Sequence, residues 1–307
     1  MNSIAAEVAG LQVVMVNVFF LGPHGGPWVL VDAGLYWSAD RIRRAAEERF
    51  GRGARPSAIV LTHGHFDHIG SLRTVADEWD VAVYAHRLER PYLTGRSSYP
   101  PPDPLVGRGS MALMSPLYPR GPIDVSDRLK DLPEDGSVPY LPGWRWIHTP
   151  GHTPGHVSLF RDDDRVLVAG DAFVTTKQES LYSVATQRVE LNGPPAYYTS
   201  DWDAARDSVA RLAELRPRVM ACGHGLPMSG DAAADGLTQL ALNFDKAARP
   251  KYGRYSRIAA VSNESGVVSV PPAMASPAAR VAAAVGGALL VGAVIGIARK
   301  SKRTAES

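Results

Sequence analysis

The stretch THGHFDH, residues 62–68, places three histidines and an aspartate within six positions of a chain that has only nine histidines. It directly follows the apolar run SAIVLT (57–62), which predicts a short buried strand. Imidazole and carboxylate groups are good ligands for divalent transition metals, above all zinc. His63 and His65 have the alternate spacing that points two side chains the same way at a strand end. The stretch therefore predicts a metal site in the loop after this strand.

The number of candidate ligands indicates more than one ion. A catalytic site for a single ion takes three protein ligands and leaves one position open for water. The stretch alone offers four: His63, His65, Asp67 and His68. Two ions need about three more ligands, and each must come from another loop that follows a strand. The residues alone also leave open a closed structural metal site, or polar loop residues without a metal.

Segments whose apolar residues have the period of a strand alternate along the chain with segments that have the period of a helix. The predicted strands are 11–21, 28–34, 57–62, 81–85, 144–149, 156–161, 165–170 and 218–222. The predicted helices are 38–51, 69–80, a helix capped by Ser200 with Asp203 that runs to about 215, and 231–247. Three further candidate ligands lie where predicted strands end, each with a glycine nearby: His152, Asp171 and His224. The pattern predicts a mixed α/β (α+β) fold.

This set of residues resembles the metallo-β-lactamase-fold hydrolase superfamily. The match consists of the H-x-H-x-D-H motif at 63–68, followed in the family's chain order by its later histidine, its bridging aspartate and its final histidine. It covers roughly residues 10–245 and implies a four-layer αβ/βα sandwich. Carried over by position, the resemblance implies that His63, His65 and His152 hold one ion. It implies that Asp67, His68 and His224 hold a second ion, and that Asp171 bridges the two.

The resemblance implies a metallo-hydrolase with two divalent ions as cofactors, for which we expect zinc, with iron or manganese as alternatives. Two such ions lower the pKa of water from about 15.7 toward about 7, so that hydroxide can attack an electrophilic carbonyl or phosphorus. Asp67 and Asp171 are the catalytic candidates. We expect a small-molecule substrate with an ester, thioester, lactone or similar bond. The alternatives are a phosphodiesterase of the same fold and a membrane-tethered protein that binds metal without turnover.

Departures from particular branches of the superfamily narrow this expectation. Proteins similar to true β-lactamases carry a cysteine or serine where this chain has Asp171. The flavodiiron branch carries a glutamate where this chain has His65. Lactonases with the same ligands usually carry a tyrosine where this chain has Val174. The ligand set is that of glyoxalase II and the lactonases, but the chain looks most like a broad group of generic hydrolases whose substrate is unassigned.

Composition divides the chain into a catalytic domain, a linker and a C-terminal segment. The catalytic domain is predicted at 1–250, and its insert at 91–143 holds 11 of the 24 prolines and shows little periodicity. Such a segment often forms a lid or a binding loop. Adaptable side chains of the insert could line a pocket or form a small core of their own: Tyr92, Tyr99, Met111, Met114 and Tyr118. Residues 251–277 are polar and rich in proline, serine and glycine, which predicts a linker.

The last part of the chain, 278–307, is predicted to be a transmembrane anchor with a basic tail. Residues 281–298 are 18 residues without a charge, and as a helix they would span about 27 Å, near the ~30 Å of a bilayer core. A G-x-x-x-G pattern at 292–296 is typical of two closely packed helices, which would give a homodimer. We expect membrane association through this segment, with the catalytic domain in the cytoplasm. A soluble appended helix or a disordered tail is the alternative.

The overall charge and the cysteine count exclude other classes of function. The chain has 33 basic and 31 acidic residues, a net charge of +2, so the basic excess of a nucleic-acid-binding domain is missing and no nucleic-acid partner is expected. Cys222 is the only cysteine, so no intrachain disulfide can form. A single cysteine is most often a small buried residue, although Cys222 lies only two residues before His224.

Overall fold

Two β-sheets form the centre of the computed structural model, which describes residues 1–107 and 109–274. The strands of the seven-stranded sheet lie side by side in chain order: β1 (Asn2–Ala5), β2 (Val8–Val13), β3 (Val16–Leu21), β4 (Val29–Val31), β5 (Ala58–Val60), β6 (Val83–Ala85) and β7 (Leu129–Asp131). The five-stranded sheet has the spatial order β12-β11-β10-β9-β8. Its strands are β8 (Trp144–His148), β9 (Val157–Arg161), β10 (Val166–Gly170), β11 (Val219–Cys222) and β12 (Met228–Ser229).

Helices and one hairpin complete the described part of the chain. The helices are α1 (Ala39–Phe50), α2 (Phe66–Ile69), α3 (Leu72–Trp79), α4 (Arg90–Leu93), α5 (Ser110–Met114), α6 (Leu181–Thr186), α7 (Trp202–Glu214), α8 (Asp231–Leu242) and α9 (Phe244–Ala247). Single 3-10 turns lie at Arg87–Glu89 and Ser115–Leu117. Strands β13 (Val261–Asn263) and β14 (Gly266–Ser269) pair with each other in an antiparallel hairpin.

Side-chain alternation along the strands builds four layers. In β3, Val18 and Phe20 pack into an apolar cluster with residues of α1 and α3, whereas Phe19 faces the other sheet. In β10, Val168 also lies between the sheets, and Leu167 packs toward α7 and α8. Successive side chains of a strand point to opposite faces, so each sheet buries both of its faces. The layers are helices, sheet, sheet and helices, which confirms the predicted αβ/βα sandwich.

Strand direction brings several loops to one edge of the sandwich. Strands β4, β5 and β6 run parallel in the first sheet. In the second sheet β10 and β11 run parallel, and β8 points the same way because both β8 and β10 are antiparallel to β9. Strands that run in one direction deliver the loops at their carboxyl ends to the same edge. All seven predicted metal ligands lie in or directly after such loops.

Three predicted elements differ from the structure. The single strand predicted at 11–21 is parts of β2 and β3, which reverse through Val14 at a φ of 58°. Valine rarely adopts this left-handed conformation, and no glycine, proline or asparagine marks the turn, so the sequence carries no signal for it. The predicted cap of α7 is displaced by one residue, because Asp201 caps the helix instead of Ser200. The helix predicted at 231–247 is interrupted at Asn243 and forms α8 and α9.

Part of the segment predicted as a linker, 251–277, is packed. The hydroxyl of Tyr255 donates a hydrogen bond to the carbonyl of Pro101 at 2.6 Å, and the tyrosine ring is buried. The backbone N–H of Val267, in β14, donates to the hydroxyl of Ser97 at 3.2 Å. The hairpin was not predicted because two short strands show only a short and weak apolar pattern. The polar composition of the segment therefore indicated a linker.

The predicted transmembrane anchor and membrane localisation are contradicted by the described residues. Across residues 1–107 and 109–274, no helix combines the length and the apolar character that are needed to cross a bilayer. The apolar run 281–298, the C-terminal helix predicted from it and its G-x-x-x-G pattern lie outside the described residues. The prediction of a membrane-associated protein, and the membrane-tethered alternative, are therefore withdrawn. Nothing in the described residues supports the predicted homodimer.

Candidate metal centre

The seven predicted ligands converge at one edge of the sandwich, although they come from both sheets. The loop after β5 carries four of them, and α2 begins within it. The loops after β8, β10 and β11 carry the other three: His152, Asp171 and His224. All seven side chains are buried, and Asp67 is the most exposed of them at 6%. Residues that are far apart in the chain thus share one small volume.

Three histidines form the first group of this cluster. His63, His65 and His152 each offer a nitrogen atom, and these atoms all lie within 4.8 Å of one another. Nδ1 of His65 lies 2.9 Å from Nε2 of His152, so the two nitrogens are close enough to contact one ion. Such a set of imidazole nitrogens is what a divalent transition metal takes as ligands.

The second group consists of Asp67, His68 and His224, whose donor atoms also lie within 4.8 Å of one another. Nε2 of His224 is 3.4 Å from Oδ2 of Asp67. Asp171 lies between the two groups: its Oδ2 is 3.2 Å from Nε2 of His224 and 3.5 Å from Nε2 of His152. Its Oδ1 is 3.6 Å from Nε2 of His68. The carboxylate of Asp171 therefore faces both groups.

Several residues that the sequence did not single out orient the cluster. Asp32, directly after β4, accepts a hydrogen bond from Nδ1 of His68 at 2.8 Å and also holds the N–H and hydroxyl of Thr62. The backbone carbonyl of Met15 lies 2.7 Å from Nδ1 of His224. The hydroxyl of Thr199 lies 3.2 Å from Nδ1 of His152. These partners fix each ring, and the only sequence signal for them was the aspartate at the end of the strand predicted at 28–34.

His156 and Cys222 lie close to the cluster in supporting positions. Nε2 of His156 accepts a hydrogen bond from the backbone N–H of Asp171 at 2.9 Å, and its Nδ1 contacts the hydroxyl of Thr149. Burial lowers the pKa of His156 to about 3, so the ring stays neutral and can accept. Cys222 is fully buried in the core between the second sheet and its helices, and burial raises the pKa of its thiol.

The electrostatics of the cluster differ between the histidines of the first group and His68 with Asp171. Burial, with the neighbouring histidines, holds the pKa values of His63 and His65 well below their usual range, which leaves neutral rings that can act as ligands. Burial also acts on His68 and Asp171. For His68 it is outweighed by the carboxylates of Asp171, Asp32 and Asp67, which raise its pKa. For Asp171 it is outweighed by His224 and His68, which lower the pKa of the carboxyl.

Unpartnered polar atoms show that divalent cations fit this place. Within the described residues, three buried atoms of the cluster have no hydrogen-bond partner: Nε2 of His63, Nε2 of His68 and Oδ1 of Asp171. A buried polar atom without a partner destabilises the fold by about 1–3 kcal/mol. Because all three atoms are potential metal ligands on neighbouring side chains, a cation would satisfy them together.

Two side chains of the insert 91–143 border the cluster. The ring of Tyr99 lies 4.5 Å from the ring of His65, and the ring of Tyr118 lies 5.5 Å from Phe66, between two predicted ligands. Tyr99, like Tyr92 and Met111, is buried, whereas Met114 is 48% exposed. The insert thus contributes mainly to a local core, and Tyr118 is its half-buried residue next to α2.

A family model of the metallo-beta-lactamase superfamily matches residues 11–224, which is more than half of the chain. The chain belongs to this superfamily. As a member, it is 52% identical over 241 residues to the probable metallo-hydrolase YflN of Bacillus subtilis (strain 168), an alignment that covers 77% of this chain and 90% of that protein. It is also 28% identical over 212 residues to the probable metallo-hydrolase YybB of the same organism, with 69% and 81% of the two chains covered.

A solved structure of the metallo-β-lactamase superfamily shares the fold. BLEG-1, a B3 metallo-beta-lactamase, superimposes with a TM-score of 0.54 at 24% identity, over 76% of this chain and 96% of its own. At this identity the likeness concerns the fold alone. Together with the relatives and the buried histidine and aspartate cluster, the family shows that the chain is a metal-binding metallo-hydrolase. The predicted family, fold and enzyme class are confirmed.

Proposed function

We propose that this metallo-hydrolase holds two divalent ions and uses them to cleave a small substrate at an ester, thioester, lactone or similar bond. His63, His65 and His152 would hold one ion, and Asp67, His68 and His224 the other. The observation that carries the proposal is that these residues form two groups of three donors, each within 4.8 Å, which Asp171 joins. Its donor atom lies within 4.8 Å of those of His63 and His68, one from each group, and its oxygens lie 3.2–3.6 Å from His68, His152 and His224. Zinc suits this mixture of imidazole and carboxylate, and iron and manganese remain alternatives.

The side chains of the cluster have different roles in the proposed hydrolysis. When bound, such ions supply Lewis acidity and make water acidic enough to act as a nucleophile near neutral pH. Asp171 holds the two groups of ligands at a fixed separation. Asp67, the most exposed of the seven, is the carboxylate that an incoming water can reach, so we assign to it the acceptance of the water's proton. The hydrogen-bonded histidine rings and the low exposure of the seven side chains keep bulk water out of the cluster and preserve the arrangement of the donors.

The surroundings of the cluster favour a substrate without a phosphate group. Among the described residues, no arginine or lysine forms a hydrogen bond or ion pair with any of the seven donors. A phosphodiester carries a negative charge that such side chains usually hold. The half-buried ring of Tyr118 and the buried rings of Tyr99 and Tyr198 instead lie next to His65 and Phe66 and form an apolar wall. A neutral carbonyl substrate therefore fits better than a phosphodiester.

The test joins metal analysis to a substrate panel. Purified protein is assayed for zinc, iron and manganese content and for hydrolysis of esters, thioesters, lactones and phosphodiesters. We expect close to two ions per chain and hydrolysis of a carbonyl substrate in the parent, and loss of both in Asp171→Ala and His65→Ala. His24→Ala, which changes an exposed histidine outside the cluster, is the matched control and should keep both. Full hydrolysis by a metal-free preparation of either cluster variant would reject the proposal.

A further inference from the structure

A fully buried carboxylate outside the donor set connects the loops that carry the donors. Glu89 ends the 3-10 turn after β6 and has no exposed surface. Its Oε2 accepts a hydrogen bond from the backbone N–H of Gly64 at 3.0 Å, between His63 and His65. Its Oε1 accepts from the backbone N–H of Gly155 at 2.8 Å and from the hydroxyl of Thr153 at 2.8 Å, next to His152. One side chain thus holds a loop from each sheet.

The insert contributes the fourth donor to this carboxylate. The hydroxyl of Tyr99 donates to Oε2 of Glu89 and also accepts the N–H of Gly64 at 3.0 Å. The four hydrogen bonds offset the cost of burying a carboxylate, which is otherwise large. The ring of Tyr99 also lies 4.5 Å from that of His65. The position of the insert is therefore coupled to the first group of ligands.

Close packing around Glu89 explains the glycines in both loops. A Cβ atom on Gly155 would lie 2.8 Å from the side chain and backbone of Glu89, and one on Gly64 would lie 2.6 Å from the hydroxyl of Tyr99. Real Cβ atoms do not make contacts this short, so the Gly155 loop approaches Glu89, and the Gly64 loop approaches Tyr99, as closely as only glycine permits. The packing is therefore a specific fit of the two loops against Glu89 and its partner Tyr99.

We propose that Glu89 is a positioning residue for the metal centre, which sets the distance between His63 and His65 in one loop and His152 in the other. The inference rests on the proposed function, because it assumes that these three histidines bind one ion. The nitrogens of the three histidines can bind one ion only if the loop of the first sheet and the loop of the second sheet keep their relative positions. Glu89 accepts hydrogen bonds from both loops with its two oxygens.

The variant Glu89→Gln tests this role with almost no change in shape. The hydroxyls of Tyr99 and Thr153 can rotate to accept a hydrogen bond, but the N–H groups of Gly64 and Gly155 can only donate. If the amide NH₂ of glutamine faces the N–H of Gly155, that loop loses its acceptor; if it faces the N–H of Gly64, that N–H keeps only the hydroxyl of Tyr99 as its acceptor. Either orientation therefore weakens the hold on one ligand loop. We expect the affinity for zinc, measured by competition with a chelator, to fall by about tenfold or more. The visible spectrum of the cobalt(II) form should change as well, because it reports ligand geometry.

Controls separate this role from a general loss of stability. Ile42→Val, buried in α1 outside both loops, should lower the melting temperature of the metal-free protein and leave zinc affinity and the cobalt spectrum unchanged. If Glu89→Gln does not fold, Thr153→Val and Tyr99→Phe each remove one donor to the carboxylate and should weaken zinc binding in the same direction. Parent-like affinity and spectrum in the folded glutamine variant, or in both of these substitutes, would overturn the inference. A parent protein that binds no metal would instead refute the proposed function itself.

Discussion

Asp32 is the residue whose conformation and contacts most directly serve the metal centre from outside it. It lies directly after β4 at a φ of 61°, is fully buried, and binds both Thr62 and His68. A left-handed backbone is uncommon for a residue other than glycine, and aspartate and asparagine tolerate it best. Its carboxylate accepts a hydrogen bond from Nδ1–H of His68 and so directs Nε2 toward the proposed ion position.

We expect Asp32→Asn to weaken metal binding by about 10–100-fold, because the amide is a poorer acceptor for the ring of His68. Asparagine tolerates the same backbone conformation, so the loss reports the contact to the ring and not a strained turn. Zinc affinity by chelator competition is the measurement. Asp235→Asn, an exposed change in a surface ion pair with Arg216, is the control and should bind metal like the parent. Equal affinities of the two variants would contradict the role of Asp32.

The pair of His86 and His148 predicts a pH dependence of stability. The rings stack at 4.2 Å between centroids, and burial, followed by the charges of His148 and Arg87, lowers the pKa of His86 from 6.5 to about 4. The unfolded chain therefore takes up this proton at a higher pH than the folded chain does. The contribution of His86 to stability is complete above about pH 6.5 and is lost as the pH falls toward about 4.

Replacing His86 by glutamine should accordingly reduce the loss of stability in acid. We compare urea unfolding midpoints of metal-free protein at pH 7.5 and pH 5, where we expect the midpoint of His86→Gln to fall less than that of the parent. His24→Gln, at an exposed position, should behave like the parent. A fall in the glutamine variant as large as that of the parent would show that the stacked pair does not titrate in this way.

At the scale of single elements, the hydrogen bonds at the beginning of α7 decide between two candidate N-cap residues. The side chain of Asp201 accepts hydrogen bonds from the N–H groups of Asp203 and Ala204, at 3.1 and 3.0 Å. Ser200, which the capping-box pattern predicted as the cap, takes part through its backbone, since its carbonyl accepts from the N–H of Ala260 at 3.0 Å. Aspartate is among the preferred N-cap residues, and a one-residue shift is within the usual accuracy of such a boundary.

Asp201→Ala should lower the free energy of unfolding by about 1 kcal/mol, which is the usual contribution of an N-cap. Ser200→Ala should change it by much less, because the backbone contacts of Ser200 remain. Urea unfolding of the two variants under identical conditions, with metal present, gives the comparison. The order of the two losses decides which residue caps the helix, and a larger loss for Ser200→Ala would reverse the assignment.

The insert 91–143 can be tested as the wall of a substrate pocket. A cavity of about 510 Å³ lies between the insert and the start of α2, and its lining includes Phe66, Ile69 and Ile123. None of the seven donors lines this cavity, but Phe66 lies between two of them in the chain and so connects the cavity wall to the loop that carries them. We propose that the cavity receives the apolar part of the substrate.

Ile123→Trp should fill this space and raise KM for substrates with a bulky apolar group, while metal content and kcat for the smallest substrate change little. The reason is that the added ring competes with the substrate and touches none of the donors. Met114→Trp adds the same ring at an exposed position of the insert and serves as the matched control. Identical kinetics of both variants across a substrate panel would exclude the cavity as the pocket.

Particular residues show how far the sequence could predict these elements. The four donors at 63–68 stand in one stretch at the end of an apolar strand, so their types and spacing alone indicated a metal site. Asp171 and His224 were found because strand ends and glycines mark the loops that carry them. Glu89 was missed because its four partners come from three loops, and hydrogen bonds to backbone N–H groups leave no pattern in the sequence. Val14 was missed because nothing in its residue type favours the turn it forms.

For the whole molecule, the central fact is that both sheets supply donors to one centre. The residues 1–271 form one compact unit, and direct bonds already join its sheets near the centre. The N–H of Val157 donates to the carbonyl of Thr62 at 2.9 Å, and the side chain of Asn17 donates to the carbonyls of Cys222 and Gly225 at 2.9 and 2.7 Å. Bound ions would add to these contacts and stabilise the folded state relative to the unfolded one.

Removal of metal should therefore lower the melting temperature of the whole unit. An ion present at 100 times its dissociation constant stabilises a folded protein by about 2.7 kcal/mol. For a unit of this size that corresponds to a shift of roughly 5–10 °C. Thermal melts with and without a chelator, and again after zinc is restored, are the measurement. The Asp171→Ala variant should melt at one temperature under all three conditions, and a chelator-dependent shift in that variant would assign the effect to another site.

Because each sheet supplies only part of the donors, the metal centre can be divided between two fragments of the chain. The exposed turn at Asp135 and Ser137 lies between β7 and β8, so an interruption there leaves four donors on the first fragment and three on the second. Neither fragment alone carries a complete set for either of the two proposed ions. Capture of zinc would then report the reassembly of two co-expressed pieces, and hydrolysis would serve as a readout for complementation between them.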